Sequence, residues 1–310
     1  MNLVKPNAEL IPQEAGLEGI YKQIERCGRV CYKSEDKITD SSSKGFVERM
    51  IKSNHTAMLE HGTVYLYLEV NPDNAFKSFE YPLAGFTAPY NWSDVVGNIG
   101  ARYRGNPYSK VLNTGDASCR RTFITTNYRV LVENEWLDDL QFLHEPTKYH
   151  AHRYTVKFTT DIGVCREILR HRKFSFANES TRYCNYSKSK FGGELTFITP
   201  TWYTGGNGIN DKECSMDSEF ELSCEEAEKS YLRMISWGAT PQEARQVLPL
   251  ATKTELIATA FKSDWCHFFN LRVRGTTGRP HPDIKRVASL AFNQFVDNGI
   301  IDLVPPENSK

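Results

Sequence analysis

Cationic side chains are concentrated in residues 165–186, which read CREILRHRKFSFANESTRYCNY. The basic members are Arg166, Arg170, His171, Arg172, Lys173 and Arg182. Residues 161–170 place apolar side chains at helical spacing, so we predict a helix over about 161–171. The Ser, Asn and Thr of the following FSFANEST favour hydrogen bonds to the local backbone and therefore a loop. Because guanidinium groups bind phosphate bidentately and hydroxyls add donors, this junction is predicted to bind an anion.

The composition is that of a globular protein without overall charge. The chain has 310 residues, of which 40% are hydrophobic and 25% charged, and Lys+Arg and Asp+Glu each number 38. Such a chain has no general attraction for nucleic acid, and no apolar run is long enough to span a membrane. The N-terminal residues lack the apolar core of a signal peptide, so we expect a cytoplasmic protein. The eight cysteines are dispersed without a Cys-x-x-Cys pair and are expected to be free thiols.

Helical and strand patterns are mixed along the chain, which indicates an α+β fold. Residues 63–70, TVYLYLEV, alternate as in a half-buried strand. Further strands are predicted near 119–126, 154–160, 194–200 and 252–260. We expect one large domain over residues 1–310, with a mixed or antiparallel sheet and flanking helices. Loop insertions are expected near 75–115, which is rich in Asn, Pro, Gly and Tyr, and near 203–218.

Two capping boxes predict helix starts in the C-terminal third of the chain. Ser223 and Glu226 form the first, for a helix that ends at Gly238. Thr240 and Glu243 form the second.

The order of residues in the cationic segment resembles a known signature. Arg170-His171-Arg172 is followed, after seven residues, by Ser180-Thr181-Arg182-Tyr183, which resembles the motif of flavin-dependent thymidylate synthases. Other segments resemble this family in the same order: His55-x4-Glu60-His61, Thr126–Arg129, Ala244–Pro249 and His267–Arg272. The resemblance therefore extends from about residue 50 to about residue 290.

The resemblance implies a set of site residues. Catalytic roles are implied for Arg272 and Ser180, with Arg272 beside the uracil ring. The implied dUMP contacts are Glu167, Arg170, Asn178, Glu179, Ser180, Thr181, Arg182, Arg245 and Arg272. The implied FAD contacts are His55, Arg170, His171, Arg172, Asn178 and His267. No metal is implied.

The resemblance also implies the reaction and its partners. The methylene of methylenetetrahydrofolate passes to C5 of dUMP, and FAD reduced by NADPH supplies the hydride that gives dTMP. No cysteine nucleophile is required, although Cys165 and Cys184 lie near the motif. A homotetramer is implied, with no nucleic-acid or membrane partner.

Several positions depart from the family pattern. Ala57, Phe261 and Ser263 replace a usual Ser or Thr, Asn and Arg near FAD. Glu167 stands where many members have Gln, and a carboxylate accepts from an imide N–H better than it binds phosphate. These replacements predict altered cofactor contacts.

Three other interpretations remain open. The cationic segment is also compatible with a solvated basic helix end. A single-stranded nucleic-acid-binding protein would use residues 165–186 with Phe174, Phe176, Tyr183 and Tyr186 as stacking surfaces. A metalloenzyme would use His144, His150 and His152, although no acidic or cysteine partner lies at a ligand spacing.

Overall fold

The structure of the protein, a computed structural model, describes residues 1–83, 86–116, 119–205 and 215–302, with backbone alone for 78–83 and 86–90. It divides into two compact units. The first unit comprises Met1–Pro12, Cys27–Lys37 and Tyr154–Lys310, and the second comprises Gln13–Arg26 and Ile38–Arg153. The expectation that residues 1–310 form one domain stays a prediction.

Strands and helices alternate irregularly in the described ranges. The strands are β1 (Asn2–Val4), β2 (Asn7–Ile11), β3 (Thr63–Val70), β4 (Ser78–Leu83), β5 (Phe86–Asn91), β6 (Lys110–Gly115), β7 (Arg120–Asn127), β8 (Arg153–Asp161), β9 (Ser175–Asn178), β10 (Thr196–Ile198) and β11 (Lys253–Phe261). The helices are α1 (Gly16–Val30), α2 (Ser42–Lys52), α3 (Trp92–Arg104), α4 (Tyr128–Glu133), α5 (Ile162–Ile168), α6 (Met216–Ser236), α7 (Pro241–Ala244), α8 (Lys262–Phe269) and α9 (Pro282–Asp297). The α+β class is confirmed. None of the helices in these ranges combines the length and the apolar character of a membrane-spanning segment.

A four-stranded sheet in the order β2-β8-β11-β9 forms the centre of the first unit. The pairs β2–β8 and β11–β9 are antiparallel, whereas β1 and β10 form a separate parallel pair. Trp265 and Phe268 of α8 and Phe295 of α9 are fully buried in the main core of this unit. Each such side chain contributes roughly 1.5–3 kcal/mol by leaving water. This core fixes α8 and therefore the residues that follow it.

The second unit contains the antiparallel sheet β3-β7-β6. The alternation in TVYLYLEV predicts its first strand correctly, since Val64, Leu66 and Leu68 are buried and the intervening tyrosines are only partly covered. The predicted strands near 119–126, 154–160, 194–200 and 252–260 correspond to β7, β8, β10 and β11 and are also confirmed.

Residues 75–115, predicted to form a loop insertion, contain regular secondary structure. This stretch contains the antiparallel hairpin β4–β5, the 13-residue helix α3 and strand β6. Helix α3 forms because Val95, Val96, Ile99 and Tyr103 recur at helical spacing and are buried in the core of the second unit. Tertiary packing therefore outweighs the turn-forming composition.

The capping prediction at Ser223 is wrong, whereas that at Thr240 is confirmed. Helix α6 begins at Met216, because the side chains of Ser215 and Ser218 each bond the backbone N–H of the other, at 3.1 and 3.0 Å. Thr240 and Glu243 cap α7 reciprocally, as predicted. The predicted loop 203–218 thus ends in a helix start, and residues 206–214 lie outside the described ranges.

The FSFANEST segment contains a strand where a loop is predicted. Its residues Ser175–Asn178 form β9, which pairs with β11 from Leu256 to Thr259. Ser175 and Ala177 are buried on one face of this pairing. Local side-chain bonding favours a loop here, but the long buried strand β11 offers the backbone groups of β9 that face it a better alternative.

Candidate active site

Helix α5 carries the start of the cationic segment. Asp161 caps it by accepting a hydrogen bond from the backbone N–H of Val164 at 2.7 Å. Cys165 and Ile168 face the core of the first unit, and the helix ends at Ile168, earlier than predicted. The exposed cations around its end are Arg166, Arg170, Arg172 and Lys173. A concentrated positive surface thus lies at the junction of α5 and β9.

The guanidinium of Arg272 contacts two residues of the cationic segment. Its Nε donates to Nε2 of His171 at 3.1 Å. Its Nη1 lies 3.3 Å from a carboxylate oxygen of Glu167, and its Nη2 donates to the Glu167 carbonyl at 3.4 Å. The Arg272 side chain remains 21% exposed. The structure therefore brings Arg272 together with two predicted site residues that precede it by more than 100 positions.

The imidazole of His171 is held in its neutral form. Burial lowers its pKa to about 4, assisted by the positive charge of Arg272 and by His267. A neutral imidazole accepts through one nitrogen and donates through the other. Because Nε2 accepts from Arg272, the proton of His171 lies on Nδ1.

The backbone after α8 orients Arg272. Helix α8 is anchored by Trp265, whose indole N–H donates to the Tyr154 carbonyl at 3.0 Å. A π-helical turn, Asn270–Arg274, follows directly and ends at Gly275, which has a φ of +70°. A Cβ there would lie 3.1 Å from both the Gly278 carbonyl oxygen and Cδ of Pro280. Glycine is therefore required at this position, and π turns of this kind often occur at functional sites.

A tight turn holds the segment from Ser180 to Arg182. The backbone N–H of Ser180 donates to the Cys31 carbonyl at 3.0 Å, and the Ser180 carbonyl accepts from the N–H groups of Tyr183 and Cys184. Arg245 donates to the hydroxyl of Thr181 at 3.3 Å, which joins two predicted dUMP contacts. Arg182 is exposed and lies over the Tyr183 ring at 5.4 Å. This turn presents hydroxyl groups and two guanidinium groups, a donor set suited to phosphate.

Asn178 and Glu179 are engaged in contacts within the first unit. The Asn178 side-chain oxygen accepts from the Thr254 hydroxyl at 3.0 Å. Glu179 is 3% exposed, and its carboxylate accepts from the Tyr186 hydroxyl at 3.0 Å and from Lys253 at 3.3 Å. Their roles in binding dUMP stay predictions.

A network of lysines and glutamates next to Glu179 is not predicted from the sequence. Glu255 forms ion pairs with Lys33, with Lys157 at 2.9 Å and with Lys253 at 2.9 Å. Burial alone would raise the pKa of Glu255, but Lys253 and Lys33 outweigh it and hold that pKa at about 2. The available signal is the pair Lys253 and Glu255 within a strand that is otherwise buried and uncharged. The network borders a cavity of about 480 Å³.

The remaining predicted cofactor residues are exposed. His267 lies on the outer side of α8, while Arg170 and Arg172 follow α5. His55 belongs to the second unit, where it precedes the helical turn Thr56–His61. Among the departures from the family pattern, Phe261 is buried, whereas Ala57 and Ser263 are exposed.

The two cysteines near the cationic segment are protonated. Burial raises the pKa values of Cys165 and Cys184 to about 12, and negative charges nearby, Asp161 and Glu179 respectively, add to this effect. The thiolate is the nucleophilic form of cysteine. Neither residue therefore has the environment of a nucleophile.

The burial of aromatic rings contradicts part of the stacking interpretation. Phe174 is 8% exposed and Tyr186 is 6% exposed, so neither presents a face to a base. Tyr183 is 56% exposed, and its ring lies 5.1 Å from that of Tyr32. A single exposed ring pair is a smaller surface than the four-ring platform predicted.

The three histidines of the metal interpretation bond backbone carbonyl groups. His144 bonds the Glu145 carbonyl at 2.7 Å, His150 bonds that of Leu66 at 3.1 Å, and His152 bonds that of Thr147 at 2.9 Å. Across the described ranges, no group of His, Cys, Asp or Glu side chains is arranged to hold a metal ion.

Known proteins are similar to part of this chain. The family model described as thymidylate synthase complementing protein matches residues 119–298. A probable flavin-dependent thymidylate synthase of Paramecium bursaria Chlorella virus 1 is 25% identical over 142 residues. A flavin-dependent thymidylate synthase of Synechocystis sp. is 27% identical over 143 residues. Each alignment covers 44% of this chain and 65% of the relative, so it spans less than half of this chain and slightly less than two thirds of the relative.

One solved structure aligns with most of this chain, but the structural similarity is low. It is that of the UMP/dUMP methylase PolB from Streptomyces cacaoi bound with 5-Br dUMP. The identity is 17% and the TM-score 0.41, with 96% of this chain and 93% of the other covered.

Proposed function

Because the chain belongs to the thymidylate synthase complementing protein family, we propose that it is a flavin-dependent thymidylate synthase. The reaction transfers the methylene group of methylenetetrahydrofolate to C5 of dUMP and reduces it to give dTMP. The observation that carries the proposal is the guanidinium of Arg272, which His171 and Glu167 hold in a partly exposed position. A cation fixed in this way is suited to a substrate that becomes anionic.

The proposed roles toward dUMP follow from charge. Arg245 and Arg182, with the Ser180 and Thr181 hydroxyls, supply the donors that a phosphate requires. Arg272 would lie beside the uracil ring, where a fixed cation lowers the cost of removing the N3 proton and makes C5 more nucleophilic. Contacts from Arg170, Asn178 and Glu179 remain part of the proposal.

The residues present fit a dinucleotide cofactor. Arg170 and Arg172 expose guanidinium groups that suit the pyrophosphate of FAD. His267 is also exposed and is a further proposed FAD contact. When bound, FAD reduced by NADPH would supply the hydride. His171 is a further proposed cofactor contact of the first unit, and the contact from His55 stays a prediction. The cysteine residues take no part, since the raised pKa values of Cys165 and Cys184 keep their thiols protonated.

The assembly and location are also proposals. A homotetramer in the cytoplasm, with the chain acting as one domain, is supported by the family resemblance. Light scattering coupled to size-exclusion chromatography measures the number of subunits. A mass other than four times 35.4 kDa contradicts the tetramer.

The reaction is tested by dTMP formation from dUMP, methylenetetrahydrofolate, NADPH and FAD, with each component omitted in turn. We expect product only with all four. Arg272→Ala should retain flavin and lose about a hundredfold or more in kcat, as when a charge-stabilising donor is removed from an active site. Arg233→Ala, at an exposed position in the last turn of α6, is the matched control and should behave as wild type. Near-normal turnover by Arg272→Ala would refute the role of this residue, and a wild-type protein that forms no dTMP would refute the function.

A further inference from the structure

His171 is half-buried and contacts Arg272. Its Nε2 accepts a hydrogen bond from the Nε of Arg272 at 3.1 Å. Nε is the guanidinium nitrogen that is bonded to the aliphatic part of the arginine side chain. The two terminal nitrogens of Arg272 are directed to the carboxylate and the carbonyl of Glu167. The orientation of the guanidinium plane is thus determined from the end of helix α5.

The ring of His171 is itself fixed. Its backbone N–H donates to the Ile168 carbonyl at 3.0 Å, and its carbonyl accepts from the N–H of Phe174 at 3.0 Å. The imidazole stands edge-on to the Phe268 ring, with centroids 4.8 Å apart, and lies 5.8 Å from the Phe174 ring. Phe268 is fully buried, so the ring of His171 rests on the rigid core of the first unit.

The contact requires a neutral imidazole. A protonated imidazole has no lone pair to accept a hydrogen bond and would repel the guanidinium. The ionisable groups that act on His171 are Arg272 and His267, and the Glu167 carboxylate contacts Nη1 of Arg272. Burial and the positive charge of Arg272 therefore both favour the neutral acceptor.

We propose that His171 is a positioning residue that orients Arg272 toward the uracil ring by accepting its Nε–H. This inference rests on the proposed function and adds to the flavin contact implied for His171. The property of His171 that orients Arg272 is an uncharged hydrogen-bond acceptor at the position of Nε2. The imidazole ring itself is not required. A side chain that supplies the acceptor will preserve the orientation, and one that places a positive charge there will destroy it.

Two substitutions separate these properties. His171→Gln places a neutral amide oxygen near the position of Nε2, whereas His171→Lys places a cation there. Lys173→Gln is the matched control, because Lys173 is 84% exposed and two residues away. For each variant, steady-state kinetics with dUMP, bound flavin by visible absorbance, and affinity for dUMP and 5-fluoro-dUMP by calorimetry are measured. The fluorinated nucleotide loses its N3 proton more readily, so its preference over dUMP reports how well a cation stabilises the N3 anion.

We expect His171→Gln to retain kcat within a few-fold and to retain the preference for 5-fluoro-dUMP. His171→Lys should keep its flavin but lose about a hundredfold in kcat, as for a misplaced active-site group, and should lose that preference. Equal losses in the two variants, or losses that follow the bound flavin, would overturn the inference. If the wild-type protein turns over no dUMP, the proposed function fails instead, and an unchanged nucleotide preference in His171→Lys would still count against the positioning role.

Discussion

The buried ion-pair network around Glu255 should contribute strongly to stability. Glu255 is 8% exposed and faces Lys33, Lys157 and Lys253. Its pKa is lowered from the ordinary value of 4.5 to about 2. One pKa unit corresponds to about 1.4 kcal/mol, so the ionised carboxylate contributes about 3 kcal/mol to the free energy of unfolding. Glu255→Gln keeps the shape of the side chain, removes the charge and should cost about that amount at pH 7.

The pH dependence gives the sharper test. A carboxylate whose pKa is lower in the folded state stabilises fully above its unfolded pKa and loses this contribution as the pH falls through the folded value. About 2 kcal/mol of the Glu255 contribution should therefore be gone at pH 3. The difference in unfolding free energy between wild type and Glu255→Gln, measured by urea denaturation, should shrink from about 3 to about 1 kcal/mol between pH 7 and pH 3.

An exposed ion pair provides the control. Glu225 is 48% exposed and lies 3.8 Å from Lys229, so Glu225→Gln should cost less than about 1 kcal/mol at either pH. A loss below about 1 kcal/mol for Glu255→Gln at pH 7 would refute the reasoning. A loss that stays the same at pH 3 would do so as well, since it would show that the charge of Glu255 is not the source.

Three further predictions concern single side chains. Arg245→Ala should raise KM for dUMP about tenfold with little change in kcat, because it removes the guanidinium beside Thr181 that is proposed to bind the dUMP phosphate; initial rates at varied dUMP measure this, and a change in kcat alone contradicts it. Cys184→Ala should keep dTMP formation within about twofold while losing about 1 kcal/mol of stability through a small cavity; a folded, flavin-containing variant without turnover would show that the thiol is needed. Gly62→Ala should destabilise the second unit by about 1–3 kcal/mol, because the added Cβ would lie 2.7 Å from Cδ1 of Ile24; thermal unfolding measures the cost, and an unchanged Tm would mean that Ile24 moves freely.

The sequence predicts elements well where the pattern is dense. Strand β3 follows from strict alternation, and the start of α7 follows from a capping box whose two partners are only three residues apart. These signals are local, so they depend little on the rest of the chain. By contrast, β9 and β6 acquire their structure from partner strands, and their own residues favour turns.

The candidate site shows the same division. The motif identifies Arg272, His171 and Glu167 separately, but their mutual contacts join positions more than 100 residues apart, and only the fold brings them together. The ion pair between Lys33 and Glu255 cannot be predicted from the sequence for the same reason. Each residue requires a partner of opposite charge only because the fold buries it.

Strand β9 also constrains the spacing between the Arg-His-Arg triplet and Ser180. His171 is attached to Arg272 at one end, Ser180 is attached to the Cys31 carbonyl at the other, and the strand between them is in register with β11. One inserted residue would move Ser180 by about 3.3 Å and reverse the faces of the side chains along the strand. The seven residues between Arg172 and Ser180 therefore set the distance between the two ends of the motif. Insertion scanning should show that this interval tolerates no added residues, whatever their composition. The exposed turn at Gly192 and Gly193 should tolerate them.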